Sequence, residues 1–267
     1  MQPASDEVYK QINNDVYDQQ AGSWWDENQF LHLLKSSVNP ARAGYFRRLF
    51  DEVLKFDYRS APALDVGCGG GIVAEEFAAM GFRVTGIDPS EQSLVTARQH
   101  AQSMGLSIDY QKGTGESIPF ADNAYPVVYC CDVLEHVRDL PKVIGEIYRV
   151  TKPGGVFFFD TLNRTFVSKL VSIKIWREWK STAFMPPRLH EWRMFIRPEE
   201  LKGLLTQSGF EFKEFRGTSP NVTIPKMISL LRKRAKGSIG YKELGEKFKL
   251  VESDDLKILY MGYAVKL

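Results

Sequence analysis

Asp65-Val66-Gly67-Cys68-Gly69-Gly70-Gly71 follows the apolar pair Ala63-Leu64 and runs into Val73-Ala74-Glu75-Glu76-Phe77, which has a helical texture. A short buried strand, a glycine turn and a helix, in that order, form the opening unit of an open α/β sheet. Gly67, Gly69 and Gly71 allow a sharp turn and let a ligand lie against the main chain, where a Cβ would obstruct it. Reading outward, Arg83 to Asp88 is a second strand, and Ser90 caps a helix from Glu91 to Ser103. Ile108-Asp109-Tyr110 is a third strand and Val127-Val128-Tyr129-Cys130 a fourth. A helix over 139–150 ends at Lys152-Pro153-Gly154-Gly155, and Val156-Phe157-Phe158-Phe159-Asp160 is a fifth strand. Apolar strands alternating with helices predict a doubly wound, mostly parallel sheet with right-handed crossovers. Phe210-Glu211-Phe212 and Leu256 to Tyr260 bring it to seven strands.

Asp88 stands about 20 residues beyond the first loop glycine, where a carboxylate at the end of the second strand can accept hydrogen bonds from both hydroxyls of a ribose. A nucleoside is implied. Dinucleotide sheets prefer G-x-G-x-x-G/A, and the third small residue is absent because position 72 is Ile. Asp65 just before the loop favours a cationic ligand over a pyrophosphate, and S-adenosylmethionine carries an ammonium and a sulfonium.

At 267 residues, 43% hydrophobic and 25% charged, the chain suits one α/β domain with additions. The divisions read as an N-terminal helical lid at 1–58, a donor-binding core at 61–160, an acceptor-side insertion at 161–197, and a C-terminal part at 198–267 with an extra insertion near 226–248. The lid contains Tyr17, Trp24, Trp25 and Phe30, aromatic groups suited to roofing a pocket. A net charge of +2 gives no reason to expect nucleic acid. Three cysteines without a paired CxxC pattern point to a reducing compartment, read here as the cytoplasm. The polar, acidic start lacks a secretory pattern, and no stretch is apolar enough to span a bilayer.

Leu64 to Gly71, Asp88, Leu134-Glu135-His136-Val137 and Lys152 to Gly155 resemble class I S-adenosylmethionine-dependent methyltransferases over roughly residues 40–215. That resemblance implies that Gly67 and Gly69 line the methionine portion, Asp88 holds the ribose, Gly115-Glu116 lies near the adenine and Cys131 lies beside the sulfonium. Asn39-Pro40-Ala41-Arg42, Thr161-Leu162-Asn163-Arg164, His190-Glu191 and Phe195 to Leu201 resemble more closely the ubiquinone-biosynthesis O-methyltransferases. There the arginine matching Arg42 contacts the donor's carboxylate, a charge-assisted pairing. Where that family typically has His-Asp, this chain has His190-Glu191, and the 226–248 stretch is additional.

The expected acceptor is a small hydroxylated aromatic, with a prenylated quinol precursor the leading candidate. A phenol has a pKa of roughly 10, so a base or a cation would help form its nucleophilic oxygen. His190, with Glu191, is the candidate base. Asp132, Glu135 and His136 resemble the Glu-x-x-Glu-His group of the ubiquinone family, whose oxygen ligands would suit Mg2+; the alternative is a helix start where acids complement the dipole. Lys169, Lys174, Arg177 and Lys180, interleaved with Leu170, Val171, Ile173, Ile175, Trp176 and Trp179, make 168–180 a basic amphipathic helix suited either to an anionic membrane surface or to packing on the core. The donor motif leaves open methylation at nitrogen or carbon. A non-catalytic donor-binding protein and an NAD-dependent oxidoreductase are the readings from other classes.

Overall fold

In the computed structural model, residues 3–55 and 57–267 are described. Met1, Gln2 and Phe56, which belong to the predicted lid, lie outside them. The sheet holds eight strands in the order β3-β2-β1-β4-β5-β8-β6-β7. They are β1 Pro62–Val66, β2 Arg83–Asp88, β3 Asp109–Lys112, β4 Tyr125–Cys130, β5 Thr151–Leu162, β6 Phe210–Pro220, β7 Leu250–Ser253 and β8 Leu259–Lys266. The first five pair in parallel, and β8, β6 and β7 continue the sheet in antiparallel fashion.

The sheet therefore has one strand more than the seven expected. Leu250–Ser253 pairs with the end of β6; it is four residues long with none of them buried, and it gave no long apolar signal. The final strand also lies later than the predicted 256–260. Its buried run Tyr260-Met261-Gly262-Tyr263-Ala264 threads between β5 and β6, while Ser253-Asp254-Asp255 supplies the turn before it. Lys152-Pro153-Gly154-Gly155 is absorbed into β5 as an irregularity: the register passes from Tyr125↔Thr151 to Val127↔Val156, and Gly154 takes φ 73°.

Two helices show the caps that their sequences carry. Ser90 accepts from Ser93 N and caps Glu91–Ser103. Asp139 does the same, from Lys142 N, for Leu140–Val150, whose Val143, Ile144, Ile147 and Val150 are fully buried at the 3–4 residue spacing of one helix face. Helix Asn39–Arg48 continues as a π-helical stretch, Leu49–Leu54, and presses Phe46 and Phe50 on Phe158 at ring separations of 4.9 and 5.0 Å. This packing seats Arg42 above the carboxyl ends of β4 and β5.

β1 pairs with β2 on one side and β4 on the other, so the crossover direction reverses between β1 and β4, where open sheets form a ligand crevice. The glycine loop lies there. Gly67 has φ 82°, and a Cβ on it would come within 2.4 Å of Val133 Cγ2; Gly69 has φ 50°, and its Cβ would come within 2.6 Å of Trp24. A side chain at either position would collide with a neighbour as well as adopt a left-handed backbone.

Candidate active site

A cavity of about 370 Å³ opens over the carboxyl ends of β1, β2 and β4. All eight predicted cofactor residues line it: Arg42, Asp65, Gly67, Gly69, Asp88, Gly115, Glu116 and Cys131. Asp88 is held by main-chain donors, Gly69 N to Oδ2 and Ser90 N to Oδ1, both at 2.8 Å. Burial raises its carboxyl to about 6 in spite of those bonds. Asp65 is 2% exposed, and its Oδ2 has no hydrogen-bond partner. Burial, reinforced by Asp88 and opposed by Arg42, pushes its carboxyl well above the usual range. An unpaired buried acceptor costs about 1–3 kcal/mol. A cationic amine that reached it would relieve that cost, so the residues present fit the amino-acid end of S-adenosylmethionine. Burial pushes the Cys131 thiol up as well, which makes it a poor nucleophile.

The N-terminal segment covers this cavity. Trp24 lies against the glycine loop and donates from Nε1 to Ser93 Oγ at 3.0 Å. Trp25 lines neither this cavity nor the one described next. It donates to Gly70 O at 2.8 Å and stacks on His100 at 3.4 Å. Of the aromatic residues expected to roof the acceptor, Tyr17 and Phe30 reach the acceptor side, while Trp24 closes the donor side.

A second cavity, of about 330 Å³, adjoins the first and shares Tyr17, Leu34, Asp132 and His136 with it. Its wall is largely apolar, from Phe30, Leu31, Leu33, Val171, Trp176, Phe184 and Met185, and includes Ile224, Met227, Leu244 and Phe248. Met227, Leu244 and Phe248 belong to the additional stretch and Ile224 lies just before it; the segment folds as helices Ile224–Ala235 and Tyr241–Lys247 with Phe248 just after them. That stretch walls a cavity, a role its sequence did not reveal. The basic residues 232–236 sit at the far end of the first of these helices, with the Arg234 guanidinium 3.8 Å from the Tyr241 ring centre.

Glu135, His136 and His190 form a polar group in this apolar wall. Glu135 is 2% exposed and accepts from Thr161 Oγ1 at 2.7 Å. The His136 ring is held between Asn14 Oδ1 at 3.2 Å and Tyr17 OH at 3.4 Å. The His190 ring lies 5.1 Å from it, and Arg177 fixes the His190 carbonyl at 2.6 Å. Glu191 does not join them: its carboxylate turns to Arg193 and caps the short helix Trp192–Met194. Asp132 stands apart from the predicted metal group as well. The potential ligand atoms that cluster, within 4.8 Å of one another, are those of Glu135, His136 and His190, while Asp132 binds Arg42. The separation of His190 from His136 in the chain hid this grouping.

Arg42 is 2% exposed and binds two carboxylates, Asp132 through Nη2 and Asp160 through Nε. Asp160 Oδ1 also accepts from Asp132 N at 2.8 Å. These contacts hold Asp132 with φ 55° at the boundary of the two cavities.

Desolvation dominates the ionisation of this group. Burial, with Asp132 adding repulsion, raises Glu135 to about 8, and burial lowers His136 to about 4 against the pull of Asp132. His190 is pushed well below its ordinary value by burial, then by His136 and Arg177. Folding thus makes Glu135 hold a proton that the unfolded chain releases near 4.5, so its contribution to stability falls as pH rises through 4.5 toward 8. His136 acts oppositely, between 6.5 and 4. Between pH 6.5 and 8 the carboxyl acts without that opposition, and Glu135→Gln should flatten the decline of Tm there. A slope equal to that of the unaltered protein would show that Glu135 is ionised in the fold.

Comparison with known proteins supports this site's setting. Residues 64–159 match the family model described as a methyltransferase domain. The chain is similar to a ubiquinone biosynthesis O-methyltransferase of Hahella chejuensis, 35% identical over 252 residues that cover 92% of this chain and 90% of the relative. The corresponding enzyme of Paramagnetospirillum magneticum is 35% identical over 75% of this chain and 82% of its own. Among solved structures, the [4+2]-cyclase SpnF aligns with a TM-score of 0.56 at 20% identity, covering 86% of this chain and 83% of its own. A methyltransferase from Thermotoga maritima aligns at 0.52 and 18%, covering 88% and 99%. These likenesses show the Rossmann-like methyltransferase fold. With a third of its residues shared along nine-tenths of both chains, the protein belongs to the ubiquinone biosynthesis O-methyltransferase family and is an S-adenosylmethionine-dependent methyltransferase that acts on a small molecule.

Proposed function

We propose that the protein methylates a phenolic hydroxyl on an aromatic ring that carries an apolar tail, of the prenylated quinol type. The observation that supports this most is the junction of the two cavities: a donor-sized space with a buried carboxyl oxygen, Asp65 Oδ2, that has no hydrogen-bond partner meets an apolar space across Asp132, His136 and Tyr17. An apolar wall with few polar groups suits a greasy ligand with one reactive polar end.

In this reading Asp65 and Arg42 hold the amino-acid end of the donor, Asp88 its ribose, and Gly115-Glu116 flanks its adenine. When bound, the donor supplies a methyl group on a cationic sulfur, open to in-line displacement. The chain's residues then align the acceptor oxygen and exclude water. His190 receives the phenolic proton, since its lowered pKa keeps the ring neutral and able to accept. Glu191, facing Arg193, supports the loop rather than the reaction.

A divalent cation fits the same group as an alternative to the base role, because an imidazole nitrogen bound to a metal cannot also take the phenolic proton. Glu135, His136 and His190 would hold it, and when bound it would act as a Lewis acid toward the phenol oxygen. One carboxylate and two imidazoles suit manganese, iron or zinc better than the Mg2+ expected from an all-oxygen set.

The mouth of the apolar cavity bears on membrane contact. Val167 and Val171 line the cavity, and Phe166, Leu170 and Trp179 beside them are 77%, 37% and 50% exposed. They lie on or beside a helix that runs through Phe166–Ser168 and the π-helical Lys169–Glu178. Lys174 and Arg177 are paired with Glu178, so membrane attraction falls to Lys169, Lys180 and the apolar rim. Among the described residues no helix is long and apolar enough to cross a membrane, so the contact proposed is peripheral.

Isotopically labelled S-adenosylmethionine, incubated with the protein and a lipid extract, should place its label in a quinol-like lipid; label confined to water-soluble products would remove the tail from the proposal. His190→Ala should lower kcat by about 10²–10⁴ with donor affinity unchanged, and retention of full turnover would remove the base. Chelation should slow the reaction, with manganese or zinc restoring it before magnesium; an undiminished rate after exhaustive chelation would discard the cation. The protein should float with anionic vesicles, and Phe166→Ser with Leu170→Ser should release it. Sedimentation of the unaltered protein away from vesicles would defeat the membrane contact.

A further inference from the structure

The donor cavity is rich in carboxylates. Asp15, Asp18, Asp65, Asp88, Glu116 and Asp132 line it, and among the described residues Arg42 is the only arginine or lysine that does. S-adenosylmethionine carries a carboxylate of its own, and in that acidic wall the attraction for it must come from Arg42. Yet the guanidinium is already engaged by Asp160 and Asp132.

The two engagements are unequal. Asp160 lies at the end of β5 with its side chain 2% exposed, and its other oxygen is tied to Asp132 N. Asp132 has a side chain 25% exposed, lines both cavities, and is placed in a left-handed backbone conformation that directs it to their boundary. A carboxylate arriving from the donor side therefore competes with Asp132, the more accessible partner, and leaves Asp160 in place.

We infer that Arg42 exchanges Asp132 for the carboxylate of the donor, and that the released Asp132 becomes a hydrogen-bond acceptor for a hydroxyl of the incoming acceptor beside the one whose proton His190 takes. This rests on the donor reading given above and adds to it an order of events. Before the donor enters, Asp132 is paired with Arg42 and has less capacity to receive an acceptor hydroxyl. Afterwards an unpaired carboxylate borders the apolar cavity, where a phenolic O–H can satisfy it. No bond is made or broken in the exchange; one ion pair replaces another. The two ligands are thereby coupled through a single side chain, and the coupling is reciprocal by thermodynamic necessity.

Titration calorimetry with S-adenosylhomocysteine, which keeps the donor's carboxylate, and with an alkylcatechol as the acceptor probe tests this on the full chain. S-adenosylhomocysteine should tighten alkylcatechol binding to the unaltered protein by about tenfold, within the usual range for coupled sites. Asp132→Asn, nearly isosteric and tolerant of a positive φ, should bind S-adenosylhomocysteine several-fold more tightly, because the internal competitor has lost its charge, and should show no coupling. Asp132→Gly, free of any conformational penalty there, should do the same. Weaker S-adenosylhomocysteine binding by both variants, or coupling that persists in them, would overturn the exchange while leaving the methyltransferase reading intact. Failure of the unaltered protein to bind S-adenosylhomocysteine at all would overturn both.

Discussion

A guanidinium buried between two carboxylates fixes the geometry on which both cavities depend. Arg42 comes from helix Asn39–Arg48, Asp132 from just beyond β4, and Asp160 from near the end of β5. Burying the charges of Arg42 and Asp160 is costly unless they are paired and hydrogen-bonded, and removal of either, or of the partly exposed Asp132 beside them, disturbs that compensation. Such a group therefore specifies where the helix sits on the sheet edge more sharply than apolar packing alone would. The aromatic contacts of Phe46 and Phe50 with Phe158 provide area, and the charges set the register.

The parallel half of the fold was legible because its signals are local. Strand, glycine loop, helix and acidic strand end lie within thirty residues or so, and each has a direct physical meaning. For the same reason all eight residues read as donor-binding line one cavity. The antiparallel half was less legible. β7 is short and half-exposed, and β8 is buried on both faces, which removes the alternation that marks an ordinary antiparallel strand. The acceptor side was harder still. Its polar group joins Glu135 and His136 to His190, and its wall unites Phe30 with Phe248, so the arrangement depends on tertiary folding that no local pattern encodes. Asp132 illustrates the limit: the likeness of Asp132, Glu135 and His136 to the family's Glu-x-x-Glu-His group implied a shared ligand set, whereas a partner ninety positions away, Arg42, decides where the Asp132 carboxylate points.

The structural likenesses separate fold from chemistry. The same sheet supports the cyclase SpnF and a methyltransferase of Thermotoga maritima at comparable similarity to this chain. In this chain the carboxyl edge is covered by the N-terminal segment and by the helices between β6 and β7, and the site lies beneath that covering. The two coverings meet each other: Lys242 pairs with Glu27 at 2.7 Å, and Tyr241 packs edge-on to Phe30 at 6.4 Å.

The position of β8 has a consequence for how the chain is made. Residues 259–266 emerge from the ribosome after β5 and β6, yet they lie between them and pair with both. Until they arrive, the open edges of β5 and β6 face solvent with unpaired main-chain groups, and the Phe-rich core beneath them is incompletely closed. The parallel half can assemble during synthesis, but the antiparallel half must wait for this late strand to insert. Its nascent edges are where chaperone protection would matter most.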